Sequence, residues 1–381
     1  MVNLDTINRK DVPNKSEIFS SVKVIVLENK KDALLGIIEK IYPYQNKLFI
    51  LDSQFVEGVL EFDKNGRFIR KIGNKGNAPG EYSSCGDFAI NEQLEEIYLF
   101  DYRHNRINKY DIKTGKYKES LDIEKQNRVD RIWVNSGRLY GVNRGFYPSD
   151  SKPYYALKEI DLTNGKKIGE WMRTDEYNQG WIDSSRSIQF FYPIDKDTDL
   201  FTYGVGDSIM YIHDGELCSH IALTGKRILK KEDIPTEALT PPNDAFLRTK
   251  ESSKLFNKLS REDKIITICD IFQHNKKLYF SCHGKIIYSA QYDISKNKVS
   301  AFPFIEDDIL FSKSPDHHML PRFLTSDKSG VYYVVGTDFL PELKHFATEK
   351  GVMSDKVINK DKLEKLDEDS NPVILYYEFK K

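Results

Sequence analysis

The stretch IIEKIYPYQNKLFILDSQFVEGVLEFDKNGRFIRKI, residues 37–72, contains four short runs of Ile, Leu, Val, Phe and Tyr. The runs span 37–42, 47–51, 58–62 and 68–72, and turn-forming sequences such as DKNG separate them. Runs of this length and composition are typical of β-strands, and a turn that reaches glycine between two of them predicts a hairpin. The stretch therefore predicts one four-stranded antiparallel sheet.

The same order of strands and turns returns twice, at residues 87–122 and 130–171. Each copy closes its last hairpin on an aspartate that is followed within four residues by a glycine, which supplies the positive φ that such a turn needs. The pairs are Asp63 with Gly66, Asp111 with Gly115, and Asp161 with Gly165. A spacing of about 50 residues between copies is typical of propeller blades.

Two looser copies follow at residues 187–223 and 265–304, and a sixth is split. Residues 323–336 supply its first two strands and residues 371–380 a third. The unassigned run VKVIVLE at 22–28 completes the sixth sheet and closes the ring, which removes the edges that an open sheet would expose. The sequence thus predicts an all-β protein, a six-bladed β-propeller of four-stranded antiparallel blades.

The predicted organisation is an N-terminal segment, residues 1–20, followed by a single propeller over residues 21–381. Two segments lack strand alternation and are predicted as insertions with some helix. They span about 224–263, which carries Lys, Arg, Glu and three prolines, and about 337–370, which is highly charged.

The totals exclude some classes of protein. Lys plus Arg (57) and Asp plus Glu (58) leave a net charge of -1, which provides no field to attract nucleic acid. No run approaches the ~20 apolar residues needed to span a bilayer, so no transmembrane segment is predicted. The first residues lack the apolar core of a signal peptide, so either the protein is cytosolic or a leader is missing from this chain. The four cysteines form no CxxC pair, and their spacing does not indicate a zinc site.

Residues 58–82, GVLEFDKNGRFIRKIGNKGNAPGEY, and the DFAI, IYLFD and RINKYD segments that follow carry a family resemblance. The chain resembles the six-bladed β-propeller proteins of gut Bacteroidetes that are related to the NHL-repeat propellers. The resemblance runs from about residue 20 to the C-terminus. It implies an exported protein, periplasmic or at the outer membrane and cell surface, tethered through a lipid anchor on a leader absent from this chain. It implies no reaction.

Candidate binding residues follow from the connectivity of a propeller. In each blade the loop that enters the first strand and the loop between the second and third strands meet at one edge, which we call the top edge. Loops there vary while the strands hold them in place. Basic side chains in these loops could bind an anionic ligand, although pairing with Asp87 and its neighbours is the simpler alternative. The candidate ligand-binding residues are Arg103, His104, Arg106, Arg131, Arg186, His283, Arg322 and Asp87.

Metal chemistry is the alternative to simple binding. His283, with His317 and His318, falls in predicted top-edge loops, but no HxH or HxxxH spacing indicates preformed ligation. A calcium-assisted site in the central channel would need acids from several blades, for which the candidates are Asp87, Asp130 and Asp270, with Gln189 opposite. No metal site and no cofactor are predicted; calcium in the channel stays the alternative.

The function predicted from sequence is non-catalytic: a binding or scaffold propeller of the cell envelope that recognises a protein or glycan, or an anionic ligand, through its top-edge loops. The competing hypothesis is a metal-assisted hydrolase or lyase with its site in the central channel. No catalytic residue is predicted, since no GxSxG elbow and no nucleophile–base pair is evident.

Overall fold

The computed structural model describes residues 2–143, 155–173, 189–203, 208–230, 233, 245–312, 321–349 and 351–381. Six sheets each contain four antiparallel strands, two of them with a fifth strand paired in parallel, and the six sheets make a six-bladed β-propeller. The predicted fold class is therefore confirmed. We number the blades in chain order, and in each blade the strands are called first to fourth.

The strand bounds are as follows. Strands β1 (Val2–Asn3) and β2 (Phe19–Val26) precede blade 1, which has β3 (Lys40–Tyr44), β4 (Lys47–Asp52), β5 (Gly58–Asp63) and β6 (Phe68–Ile72). The short β7 (Asn74–Lys75) and β8 (Glu81–Tyr82) lead to blade 2, with β9 (Cys85–Asn91), β10 (Glu96–Asp101), β11 (Arg106–Asp111) and β12 (Tyr117–Asp122). Blade 3 has β13 (Arg131–Asn135), β14 (Arg138–Val142), β15 (Tyr155–Ile160) and β16 (Lys167–Arg173).

The later blades are less even. Blade 4 has β17 (Phe191–Pro193), β18 (Thr198–Phe201), β19 (Ser208–His213) and β20 (Glu216–Thr224). Blade 5 has β21 (Thr267–His274), β22 (Lys277–His283), β23 (Ile287–Asp293) and β24 (Lys298–Phe302). Blade 6 has β25 (Arg322–Asp327), β26 (Gly330–Val335) and β28 (Val373–Phe379), and β27 (Val357–Ile358) lies beside it.

The split sixth blade closes as the sequence predicted. Strand β2 pairs antiparallel with β28, and the register joins Val26 to Val373. The run begins at Phe19, three residues before the predicted start. The N-terminal segment contributes a further strand, because β1 pairs in parallel with β20 of blade 4 through Val2 and Leu223.

The hairpin aspartates act as the sequence analysis proposed. The Asp63 carboxylate accepts the amides of Asn65 and Arg67, and Gly66 follows at φ 90°. Asp111 and Asp161 make the equivalent turns in blades 2 and 3. A carboxylate that accepts its own turn amides and a glycine with positive φ together fix the register of the hairpin.

The described residues group into two compact units. One unit contains Val12–Ser120 and Ile305–Lys381, which hold blades 6, 1 and 2, and the other contains Met1–Asp11 and Leu121–Phe304, which hold blades 3 to 5. In the first unit, one apolar cluster fills the space between blades 6 and 1 and includes Leu35 and Ile374. A second fills the space between blades 1 and 2 and includes Phe49 and Tyr82. These clusters hold neighbouring blades rigidly.

The two predicted insertions contain helix. Helix α1 (Ala245–Arg261) lies in the first insertion, with Leu255 and Leu259 buried. The second contains α2 (Leu340–Thr348), whose Leu343 and Phe346 face inward. Short 3₁₀ helices complete the structure at Lys15–Glu17, Lys31–Ala33, Lys125–Asn127, Thr337–Phe339 and Lys360–Lys365.

Blades 1 and 2 each bury a charge two residues before the hairpin aspartate, with opposite signs. In blade 1, Glu61 is fully buried and forms ion pairs with Lys47 (2.5 Å) and Arg70 (2.6 Å). In blade 2, Lys109 is buried and pairs with Glu119 at 2.7 Å. The same backbone position therefore accepts either sign when its neighbours change with it.

Candidate functional site

Asp52 ties together the two loops at the top edge of blade 1. It is the last residue of the second strand and is fully buried. Its Oδ2 accepts the amides of Gly36 (2.7 Å) and Ile37 (3.3 Å) in the entry loop, residues 27–39. Its Oδ1 accepts the amides of Gln54 (3.0 Å) and Phe55 (2.8 Å) in the loop to the third strand. One carboxylate thus positions both loops through four hydrogen bonds.

The two loops positioned by this carboxylate expose apolar side chains to solvent. Phe55 is 72% exposed, and Leu34 and Ile37 in the entry loop are 46% and 38% exposed. The Phe55 ring lies against Gly36, where an added Cβ would come within 1.9 Å of a ring carbon, so the ring position depends on a glycine there. We call Leu34, Ile37 and Phe55 the blade-1 apolar surface.

Blade 2 repeats this arrangement with a different loop tip. Asp101, again the last residue of the second strand and buried, accepts the amide of Ser83 at 2.8 Å from the entry loop. From the next loop it accepts the amide of Arg103 (3.2 Å) and Nδ1 of His104 (2.8 Å). Burial raises the pKa of Asp101, but the hydrogen bonds from His104 and Ser83 outweigh it and leave the pKa below the ordinary value.

The group Ser83, His104 and Asp101 has the composition of a hydrolase triad but not its geometry. Ser83 Oγ lies 3.2 Å from His104 Nδ1, and the Asp101 carboxylate lies 2.8 Å from that same nitrogen. In a triad the serine and the carboxylate occupy opposite ring nitrogens, so that the imidazole can take the serine proton on one nitrogen while the carboxylate orients it through the other. Here the serine hydroxyl and the carboxylate both contact Nδ1. The three side chains therefore stabilise a turn.

The predicted basic residues that the structure describes belong to blades 2 and 6 of one unit and to blades 3 and 5 of the other. Arg103 and His104 are exposed at the tip of blade 2, and Arg106 is half-buried at the start of the third strand. Arg322 donates to the carbonyl of Ile38 in the same unit. In the other unit, Arg131 donates to the carbonyl of Asp130 at 3.3 Å. Arg186, His317 and His318 lie outside the described residues, so their part in the site stays a prediction.

The predicted acids are held by nearby partners. Asp87 is buried, and Nζ of Lys40 lies 3.0 Å from its carboxylate and also donates to the carbonyl of Phe88 at 2.6 Å. Gln189 donates to the carbonyl of Phe191 at 3.0 Å. A carboxylate already paired with an ammonium is a weak calcium ligand, because the cation must displace the lysine. Asp87 therefore forms an ion pair, which is the simpler of the two roles considered from sequence.

Blade 5 brings two predicted residues together with a cysteine. Cys269 and Asp270 lie on the first strand and His283 ends the second, and one ligand atom from each lies within 4.8 Å of the others. Cys269 Sγ is 3.3 Å from His283 Nε2. Burial, and then the negative charge of Asp270, raises the pKa of the Cys269 thiol well above its ordinary value. A protonated thiol is a poor nucleophile, so a cysteine–histidine catalytic pair is disfavoured.

Asp199 in blade 4 is another buried acid with a shifted pKa. Burial raises its pKa to about 7, although Trp133 Nε1 (2.6 Å) and Asn135 Nδ2 (2.9 Å) both donate to its Oδ2. The Trp133 ring stacks on Phe191 at 5.5 Å. A carboxyl group enclosed in this way joins blades 3 and 4 and offers no access to a substrate.

Sequence reasoning missed the residues that shape these sites. Phe55 and Ser83 lie three and four positions before the predicted strands that start at residues 58 and 87, but nothing in the pattern separates an exposed loop aromatic from one that packs. The signal that was available is the aspartate that ends the second strand, Asp52 and Asp101, because an aspartate before a loop favours capping of the loop amides.

The fold and these sites define a six-bladed propeller in which the top-edge loops of blades 1 and 2 carry different side chains on a similar framework. The chain belongs to the DUF4934 family, described as a domain of unknown function, whose model matches residues 1–378. No curated protein matches the chain.

Solved structures support the fold. An inferred exported protein of Bacteroides fragilis NCTC 9343 aligns over 100% of this chain and 99% of its own, with a TM-score of 0.76 and 17% identity. A member of the DUF4221 family from Bacteroides vulgatus aligns over 95% and 98%, with a TM-score of 0.50 and 10% identity. Among the described residues, no helix is both long and apolar enough to cross a bilayer.

Proposed function

We propose that this protein is a non-catalytic binding propeller of the cell envelope whose top-edge loops on blade 1 bind an apolar segment of a partner protein. The observation that carries the proposal is the blade-1 apolar surface. Isolated exposed apolar residues are ordinary, whereas Leu34, Ile37 and Phe55 occur together in two loops that one buried carboxylate joins. Fixing an aromatic ring before binding reduces the entropy lost on association.

The surroundings of Phe55 favour a protein segment over a glycan. Sugar recognition needs polar groups aimed at the ligand beside the aromatic ring. Here the nearest loop amides are directed at Asp52 instead, and Glu57 forms an ion pair with Lys75 at 2.5 Å. An apolar centre with a charged rim is the anatomy of a protein–protein interface, in which a few aromatic anchors provide most of the affinity.

An anionic ligand is the less favoured class. It requires several cations that converge. In the unit that holds blades 6, 1 and 2, the predicted Arg322 donates to a carbonyl, and Lys40, which the sequence did not single out, pairs with Asp87. Arg103 and His104 remain at the exposed tip of blade 2. Two such residues provide a secondary polar contact beside the apolar one.

The envelope setting rests on similarity. The family resemblance implies export and a lipid anchor, and the Bacteroides fragilis protein of the same fold carries the name of an exported protein. The proposed location is therefore the periplasm or the outer membrane and cell surface. A membrane contact would be made through a lipid anchor rather than through this domain.

The test is selection of a random peptide library on the immobilised protein, followed by affinity measurements for the selected peptides. We expect peptides rich in aromatic and aliphatic residues, and the Phe55→Ser variant should lose at least about tenfold in affinity for them, which is typical of an anchor residue. Phe55→Ser should change the free energy of unfolding by no more than about 0.5 kcal/mol, because the side chain is exposed.

The matched control is Leu94→Ser. Leu94 is 57% exposed, but it lies in the hairpin between the first and second strands of blade 2, at the edge away from the top-edge loops. Its substitution should leave peptide affinity unchanged. Selection of acidic peptides that bind Phe55→Ser as well as wild type would contradict the proposal, as would equal losses in the two variants.

A further inference from the structure

We propose that Cys269, Asp270 and His283 bind one Zn²⁺ ion at the top edge of blade 5, with water as the fourth ligand. The inference is independent of the blade-1 apolar surface, because it concerns another blade and another kind of ligand. It extends the sequence prediction, in which Asp270 and His283 were candidates for separate sites and no zinc ligand was assigned.

Strand register places the sulfur and the imidazole on one face. In the first two strands of blade 5, Thr267 pairs with His283 and Cys269 pairs with Ser281. Because side chains alternate along a strand, Cys269 and His283 point to the same side of the sheet as diagonal neighbours. A spacing of 14 positions along the chain hides this pair from any search for local metal motifs.

A β-bulge brings the carboxylate to the same place. The register shifts between Cys269 and Phe272, and Asp270 within the bulge has a φ of 55°. An aspartate in the left-handed region inside a strand is uncommon, and bulges serve to redirect a side chain. Without the bulge, Asp270 would face the opposite side from Cys269. The observed backbone instead sets its oxygen within 4.8 Å of both other ligand atoms.

The distance between the sulfur and the imidazole nitrogen suits a small tetrahedral ion. With Zn–S of about 2.3 Å and Zn–N of about 2.0 Å, tetrahedral ligands lie roughly 3.6 Å apart. Cys269 Sγ and His283 Nε2 are 3.3 Å apart, so a Zn²⁺ ion between them requires only a small adjustment. Cys269 is buried, whereas Asp270 and His283 are half-buried, which leaves a side open for entry of the ion and for a water ligand.

The donor set selects zinc over calcium. Calcium takes six to eight oxygen ligands, and this site offers one carboxylate. A thiolate and an imidazole are typical zinc donors, and together with a carboxylate they complete the three protein ligands common at zinc sites that retain a water. The calcium alternative considered from sequence therefore does not apply to blade 5.

The experiment is titration of chelator-treated full-length protein with Zn²⁺ against a chromophoric competitor, with Co²⁺ as a spectroscopic substitute. We expect one ion per chain and a Co²⁺ spectrum with a thiolate charge-transfer band. Cys269→Ser should abolish that band, and each of Cys269→Ser, Asp270→Asn and His283→Gln should weaken Zn²⁺ binding by at least about tenfold, the size of effect seen even for residues that only support metal ligands.

The two control variants replace a cysteine and a histidine that lie elsewhere in the same unit. Cys218→Ser in blade 4 and His274→Gln at the far end of the same first strand should leave affinity and spectrum unchanged. Circular dichroism checks the fold of each variant, and His283→Gln is the decisive variant if Cys269→Ser does not fold. A Co²⁺ complex without the thiolate band, an affinity equal to wild type in His283→Gln, or displacement of Zn²⁺ by millimolar Ca²⁺ would overturn the proposal.

Discussion

Blades 1 and 2 share a framework and differ at its tip. In both, an aspartate ends the second strand, is buried, and accepts amides from the entry loop and from the loop to the third strand. Blade 1 presents Phe55 on that framework, and blade 2 presents Arg103 and His104. The difference shows that the buried carboxylate positions the two loops of the top edge, whereas the neighbouring residues determine which side chains the loops expose. The side chains at the top edge can therefore change without a change in the strands of the blade.

The largest expected effect comes from removing the two carboxylates. Asp52→Ala leaves four loop amides without their acceptor inside a buried site, and we expect the free energy of unfolding to fall by about 3 kcal/mol or more. Asp101→Ala should cost less, about 2 kcal/mol, because His104 is half exposed and can turn to water. Chemical denaturation of both variants measures the difference. Equal losses would show that the two frameworks do not differ in strength.

A second test concerns the buried charges of opposite sign. Glu61→Leu leaves Lys47 and Arg70 facing an apolar side chain, and we expect a loss of about 2 kcal/mol. Lys109→Met should cost about 0.5 kcal/mol, because its partner Glu119 is 64% exposed and can be solvated. Denaturant unfolding of the two variants decides this. A larger loss for Lys109→Met would mean that the charge in blade 2 also organises neighbours beyond Glu119.

A third test concerns a dependence of stability on pH in blade 2. The pKa of Asp101 is below its ordinary value of 3.8, so its carboxylate stabilises the folded state above about pH 4 and ceases to do so as the pH falls through the folded-state pKa. Asp101→Asn should be about 1 kcal/mol less stable than wild type at pH 7, and the gap should close in strong acid. Thermal unfolding at several pH values measures it.

The control for the pH dependence is His104→Gln, which removes the imidazole without removing the carboxylate. Asp101→Asn made in the His104→Gln variant separates the contribution of the carboxylate to the pH dependence from that of the imidazole. A gap between wild type and Asp101→Asn that stays constant down to pH 2 would contradict the assignment of the lowered pKa to Asp101.

The blades could be predicted because each repeats a local signal. Alternating apolar residues and an aspartate–glycine turn define one sheet within 40 residues. The pairing that closes the ring could be predicted because the sixth sheet was one strand short and the run at residues 22–28 had no assigned partner. Boundaries were less accurate: the first strand of blade 1 begins at Lys40 rather than at residue 37, because the Ile37 amide is bound by Asp52.

The sites were harder to predict because they depend on backbone irregularity. The pattern of blade 5 predicts a strand over residues 265–272 but gives no sign of the bulge that redirects Asp270. Exposure of Phe55 is equally hidden, since it depends on the glycine at 36. Histidine spacing within one segment was an unsuitable test for a cluster whose members come from two strands.

The pairing of β2 with β28 has a consequence for the time course of folding. Val26 pairs with Val373, which is 347 positions later in the chain, so blade 6 cannot form until almost the whole chain has been synthesised. A chain threaded N-terminus first through a membrane pore would keep one strand unpaired throughout its passage. Completion of translocation and completion of the fold would then become the same event.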